Sequence, residues 1–176
     1  MPIIEHLRHA MRQKPGPHLS QSGIDLARAL GGTLGPFDLV VTSPVPRAAE
    51  TAAAMGFAVD EEWEELASLP EGFEEEAAWN SGFAVIAQAA RARPNGAVAR
   101  YAQELASLHG QIAQRLSENG NALIISHGGV VETSAIGGAP NMDFTAWDFP
   151  CGFCEGVRLT FDGPVCQGAA LARAKV

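Results

Sequence analysis

Apolar residues along this chain alternate between two kinds of run, short compact ones and longer ones with helical spacing. Ile3 to Arg8 reads as a short strand, although Glu5 and His6 make it more polar than a typical buried one. Pro15-Gly16-Pro17 then marks a loop. Ser20 is an N-cap candidate for a helix that carries Leu26, Ala27, Leu30 and Leu34 on one face and is weakened toward its end by Gly31, Gly32 and Gly35. Asp38 to Ser43 is the clearest buried strand, and Pro46, a good first helical residue, opens an Ala-rich helix to Met55. Phe57-Ala58-Val59 predicts a short strand. Residues 61–95 are acidic, then mixed, and read as an inserted, partly helical segment over one end of a sheet. From Val98 to about Glu118 an amphipathic helix sets Tyr101, Leu105, Leu108, Ile112 and Leu116 on one stripe. Ala122 to Ser126 is a second buried strand, and Gly128-Gly129 starts a further helix. Gly156 to Phe161 alternates as a late strand, closed by Asp162-Gly163, with Val165 to Ala172 as its hairpin partner.

Strands alternating with helices predict an α/β fold. We expect a three-layer α/β/α sandwich whose mostly parallel central sheet carries an antiparallel edge. The 176 residues have room for one domain spanning 1–176, and two would be a squeeze.

Composition narrows the partners. Twelve Lys plus Arg against 20 Asp plus Glu give a net charge of -8, which argues against a broad nucleic-acid or anionic-membrane surface. A small phosphorylated substrate stays open, because a phosphate needs only a few cations placed locally. The first residues lack the basic-then-apolar pattern of a secretory leader, and no apolar run approaches about 18 residues. Three cysteines, Cys151, Cys154 and Cys166, do not form a disulfide framework, so a reduced cytoplasmic setting is expected. Cys151-Gly152-Phe153-Cys154 leads into a strand and has too few companions for a zinc site, which sets aside redox and metal readings.

The chemistry gathers where the strands end. Ligands of open α/β sheets bind beyond the carboxyl ends of the parallel strands. Arg8-His9 follows the first strand, Ser43-Pro44-Val45-Pro46-Arg47 the second, and His127-Gly128-Gly129 the third. Two arginines and two histidines are thus expected on one rim. Guanidinium forks match phosphate oxygens, and the helix after Gly128 would turn its positive end to the same anion. A neutral imidazole in such a nest is a competent nucleophile toward phosphorus, and the arginines would keep His9 neutral. His127 would hold a transferring oxygen as a charged donor.

These residues resemble the histidine phosphatase superfamily, also called phosphoglycerate mutase-like. Its N-terminal signature is similar to Leu7-Arg8-His9-Ala10, with Ala10 where glycine is commoner. Leu19-Ser20-Gln21-Ser22-Gly23 resembles the family's approach to the first helix. The block Thr42-Ser43-Pro44-Val45-Pro46-Arg47-Ala48-Ala49-Glu50-Thr51-Ala52 resembles its serine-proline and arginine-alanine segment, and Ser126-His127-Gly128-Gly129 its second-histidine motif. The four segments come in family order and span residues 7–129. The resemblance implies His9 as nucleophile and Arg8, Arg47 and His127 as phosphate ligands, with no metal or organic cofactor. It also implies a general acid after the second helix, in a pattern similar to Asp60-Glu61-Glu62-Trp63-Glu64-Glu65, where Glu65 takes the catalytic place and Glu64 is the next choice. Arg12 and His18 are weaker candidates for the pocket, and His6 and His109 read as structural.

The function expected is hydrolysis of a phosphomonoester through phospho-His9. A mutase, a protein phosphohistidine phosphatase (a version that Ala10 supports) and a non-catalytic phosphate-binding module are the alternatives. An exposed edge strand would let two copies pair as a homodimer.

Overall fold

In the computed structural model, which describes residues 1–173, the sheet has six strands in the order β3-β2-β4-β1-β5-β6. These are β1 (Ile3–Arg8), β2 (Leu39–Thr42), β3 (Glu61–Glu62), β4 (Asn121–Ser126), β5 (Gly156–Asp162) and β6 (Val165–Ala172). Strands β3, β2, β4 and β1 run parallel, and β5 and β6 add the antiparallel edge. The fold is the expected α/β arrangement, a mixed sheet flanked by helices.

The pleat decides which face each side chain reaches. Ile4, Val41, Ala122, Ile124, Val157 and Leu159 point to one core, under α4 (Phe83–Ala92), α5 (Ala97–Arg115) and α6 (Val130–Gly138). Their neighbours Leu7, Val40, Leu123 and Ile125 point to the other, under α1 (Gln21–Gly31) and α2 (Pro46–Met55). β4 is apolar on both faces because it sits mid-sheet between two helical layers, as parallel strands do. Truncating a fully buried member such as Ile124 to alanine should cost about 2–5 kcal/mol.

Local signals account for the ends of the helices. Ser20 Oγ accepts from the amide of Gly23 at 3.1 Å and starts α1. Pro46 opens α2, and Gly56, at φ 92°, ends it. α1 and α2 pack so closely that a Cβ on Gly31 would lie 2.0 Å from the carbonyl oxygen of Met55.

Phe57-Ala58-Val59 is not a strand. Phe57 packs against Phe37, with ring centroids 5.0 Å apart, and pairing with β2 begins two residues beyond Val59, at Glu61. The amide of Asp60 donates to Val40, and its carboxylate accepts from the amide of the same residue at 2.8 Å. Residues 61–95 hold that short strand, a 3-10 turn at Glu64–Leu66, the one-turn helix α3 (Phe73–Glu76) and α4. The carboxylate of Glu76 then accepts from the amides of Ala97 and Val98 and caps α5. No helix among the described residues is long and apolar enough to cross a membrane.

Candidate active site

Three adjacent central strands, β2, β4 and β1, end on one rim, and each is followed by chemistry. The amide of His9 donates to the carbonyl of Ser126 at 2.9 Å, which keeps the ends of β1 and β4 level. Ala10 is fixed by its amide on Thr51 Oγ1 at 3.0 Å, and Thr51 donates in turn to the carbonyl of Arg47. The first turn of α2 and the segment after β1 are therefore tied together, and Arg47 is aimed across the rim.

Arg47 touches both histidines. Its Nε–H donates to Nε2 of His9 at 3.0 Å, and an Nη2–H donates to Nδ1 of His127 at 3.1 Å. A guanidinium has no acceptor, so these contacts fix both tautomers. His9 then carries its proton on Nδ1 and donates it to the carbonyl of Ala10 at 2.6 Å, leaving a lone pair on Nε2. His127 carries its proton on Nε2 and donates to Ser43 Oγ at 2.8 Å. The two rings meet edge to face, 5.2 Å apart.

Both imidazoles are held neutral. Burial pushes His9 down to about 4, helped by the nearby charges of Arg47, Arg8 and Arg12 and opposed by its bond to Ala10. His127 is pushed down to about 3, first by burial and then by Arg47, His9 and Arg8. In this arrangement His127 is accordingly a neutral donor to Ser43 Oγ.

Arg8 is held differently. One Nη donates to the carbonyl of Cys151 at 2.7 Å, and the guanidinium lies 4.3 Å from the centre of the Phe153 ring and 5.7 Å from that of Trp79. Burial lowers its pKa, and Glu132 is among the groups that oppose this. Glu132 itself is fully buried, and its carboxylate accepts from the amides of Gly129 at 2.6 Å and Cys151 at 2.7 Å. It thereby ties the start of α6 to the loop that holds Arg8. Gly129 sits at φ 84°, a conformation that favours glycine, and Gly128 passes 3.2 Å under Trp79 as measured from an added Cβ.

The resulting cavity has a volume of about 480 Å³ and opens between these groups. Besides the two histidines, Arg8 and Arg47, it is lined by Arg12, Lys14, Trp79 and Phe153. Of the sequence-derived candidates, Arg8, His9, Arg47 and His127 come together here. Arg12, which read as a weaker candidate, lines the cavity as well. His18 does not; it contacts Glu50 at 2.5 Å outside it. Glu65 is not brought to the cavity either. Its side chain is exposed, and its backbone carbonyl accepts from the hydroxyl of Tyr101 at 2.7 Å, which anchors the 3-10 turn. The residue of this turn that lines the cavity is Ala67. Glu64 is also exposed.

Trp79, Phe153 and Glu132 touch the site's residues without having been given a role there from the sequence, and Ser43, placed at the rim within its motif, accepts from His127. Phe153 lies inside the Cys151–Cys154 segment, whose use here is its backbone and its ring. Among the described residues no cluster of three or more His, Cys, Asp or Glu side chains could hold a metal ion.

The family model of the histidine phosphatase superfamily, branch 1, matches residues 5–171. The chain belongs to this superfamily. No curated relative matches it by sequence. Among solved structures, this chain is similar to the phosphoserine phosphatase from Entamoeba histolytica in complex with 3-phosphoglyceric acid. The two share 19% identity and a TM-score of 0.71 over 99% of this chain and 98% of that one. It is also similar to the phosphoglycerate mutase from Bacillus anthracis (14% identity, TM-score 0.65, covering 94% and 90%) and to the alpha-ribazole phosphatase from Shigella flexneri (19%, 0.63, covering 97% and 96%). At these identities the likeness establishes the fold, that of the phosphoglycerate mutase-like proteins.

Proposed function

We propose that this protein is a phosphatase that works through a phosphohistidine on His9. The observation that carries the reading is the Arg47 fork, which leaves the lone pair of His9 on the nitrogen facing the cavity cations. The phosphoryl group of a small substrate would bind between Arg8, Arg47 and His127. Nε2 of His9 attacks phosphorus in line, forming the N–P bond as the bond to the leaving oxygen breaks and that oxygen departs with the electron pair. The negative charge on the equatorial oxygens is met by donors already in place. Water then attacks phosphorus, the N–P bond breaks back to His9, and the water's proton ends on the released phosphate. The dianion also favours protonation of His127, which would turn a neutral donor into a charged one while the phosphoryl group is bound. The scheme requires no metal or organic cofactor.

Phosphoserine phosphatase and alpha-ribazole phosphatase among the similar structures support a phosphatase over a mutase, and they leave the substrate open. The test is hydrolysis of p-nitrophenyl phosphate with EDTA present and vanadate as inhibitor, comparing wild type with His9→Ala. Denaturing the enzyme at neutral or higher pH during turnover and weighing it should reveal a phosphoryl adduct that the variant lacks. Activity that survives His9→Ala sinks the mechanism.

A further inference from the structure

The catalytic cavity holds more positive charge than one phosphoryl group calls for. Arg8 and Arg47 are enough to match a phosphate dianion. Arg12 and Lys14 line the same cavity, so four of the chain's 12 basic side chains meet there in a protein of net charge -8. After burial, the charge of Arg12 is among the causes that lower the pKa of both His9 and Arg47. Among the described residues neither Arg12 nor Lys14 is in an ion pair. Both side chains are exposed, and Arg12 gives one Nη to the carbonyl of Gly16 at 3.1 Å, which leaves most of its five donors for a ligand.

The loop that carries these two cations is braced. Residues 11–20 fold back on themselves: Arg12 bridges to Leu19, the amide of Gln13 donates to the carbonyl of His18 at 2.8 Å, and that of Ser20 to Met11 at 3.0 Å. The loop is then fastened to α2. The amide of Arg47 donates to the carbonyl of Pro17 at 3.1 Å, and Glu50 accepts from the amide of Leu19 at 2.8 Å. Arg12 and Lys14 thus share an anchor with the arginine that faces His9, and a braced backbone loses less freedom when a ligand binds. Residues 11–18 lie between the family-like segments 7–10 and 19–23, so neither cation falls in a segment that resembles the family. The cavity, at about 480 Å³, has room for a whole small molecule around the phosphoryl group. With a phosphate between Arg8 and Arg47, Arg12 and Lys14 still lack a counter-charge, and a second anion on the same substrate supplies it.

Resting on the reading of this cavity as the phosphoryl site, we propose that Arg12 and Lys14 select substrates whose leaving portion carries a second anionic group, a carboxylate or another phosphate. The phosphoryl group sits between Arg8, Arg47 and His127, and the second anion sits on Arg12 and Lys14.

The experiment compares kcat/KM within matched pairs: 2-phosphoglycolate against ethyl phosphate, phosphoserine against phosphoethanolamine, and fructose 1,6-bisphosphate against fructose 6-phosphate. The member with the second anion should be favoured by about 10–100-fold, beyond the statistical advantage of carrying two phosphoryl groups. A larger ratio in the first two pairs assigns a carboxylate, and a larger ratio in the third assigns a phosphate. Arg12→Ala combined with Lys14→Ala should bring the ratio close to one. The same pairs titrated calorimetrically into His9→Ala give the ratio of dissociation constants where nothing is turned over. Ratios near one in every pair, by turnover and by binding, overturn the proposal, as does a ratio that the double variant leaves intact. Should the double variant not fold, Lys14→Ala alone decides, since it alters one exposed side chain: a fall in the ratio supports the proposal and no change overturns it. Activity retained in His9→Ala overturns the nucleophile instead and leaves the ratios to judge the second anion.

Discussion

Lowering the pH should unfold this protein unusually early, because four histidines are buried in the neutral form. His6 and His109 lie wholly inside and touch each other, Nδ1 to Nε2, at 3.1 Å, and His9 and His127 are 5% and 8% exposed. Burial is the first cause of a lowered pKa at all four, with His109 and His9 at about 4, His127 at about 3 and His6 well below its ordinary value. The sign follows directly. Below pH 6.5 each of these residues accepts a proton in the unfolded chain and refuses it in the folded one, so stability is full above 6.5 and falls as the pH approaches 4. Between pH 6.5 and 5 the loss is about 1.6 kcal/mol per histidine, or about 6.5 kcal/mol for the four. Glu132 works in the other direction, since burial raises its pKa and the folded state takes up that proton first. The remainder is still comparable with the whole stability of an ordinary domain, about 5–15 kcal/mol. Urea unfolding followed by circular dichroism from pH 7.5 to 5 should give a slope near about 5 kcal/mol per pH unit around pH 5.5. Millimolar sulfate, an anion that can sit between His9 and His127, should flatten that slope by roughly half and leave the share of His6 and His109. A slope below about 2.7 kcal/mol per pH unit, the equivalent of two protons, would refute the reasoning.

Other consequences follow from single contacts. Arg47→Ala removes a donor to each histidine and should lower kcat/KM for p-nitrophenyl phosphate by about 10²–10³-fold, with Arg47→Lys recovering little because one ammonium cannot span both rings. Ser43→Ala frees Nε2 of His127 and should cost about tenfold in kcat/KM with little change in urea midpoint, a smaller loss than removing a whole donor. Glu132→Ala strands the amides of Gly129 and Cys151 and should destabilise by about 2–4 kcal/mol, read from urea unfolding. Gly31→Ala drives a methyl into the backbone of Met55 and should lower the thermal midpoint clearly, whereas Gly32→Ala, with nothing within 4 Å, should not.

Much of this site was legible because its parts sit next to unambiguous strands. Ile124 and Ile125 announce β4, so His127 two residues on could be placed at a strand end, and the same holds for Arg47 beyond Val40 and Val41. Glu65 shows where that logic stops. It follows no apolar run, and its turn is anchored through its backbone carbonyl to Tyr101, a contact across 36 residues. β3 was missed for a similar reason: two glutamates join the sheet through backbone pairing with Val41 and Thr42, which leaves no apolar pattern to read. Phe153 and Trp79 reach Arg8 from segments distant in the chain, and no spacing rule links them. Glu132 carried a faint mark, an acid three residues after Gly129 at a helix start, but its second partner, Cys151, is a tertiary contact.

The hydrogen bond from Arg47 to Nε2 of His9 occupies the very lone pair that would attack phosphorus. On the proposed mechanism, the nucleophile would then be stoppered by the side chain that recognises its target. An arriving phosphate would compete for that guanidinium, and as Arg47 turned its N–H groups to the anion the lone pair would be released. Recognition and unmasking become a single event, a latch whose key is the anion itself. A solute that carries no phosphate-like charge finds the imidazole engaged, so the site would discriminate by arming only for cargo it can hold.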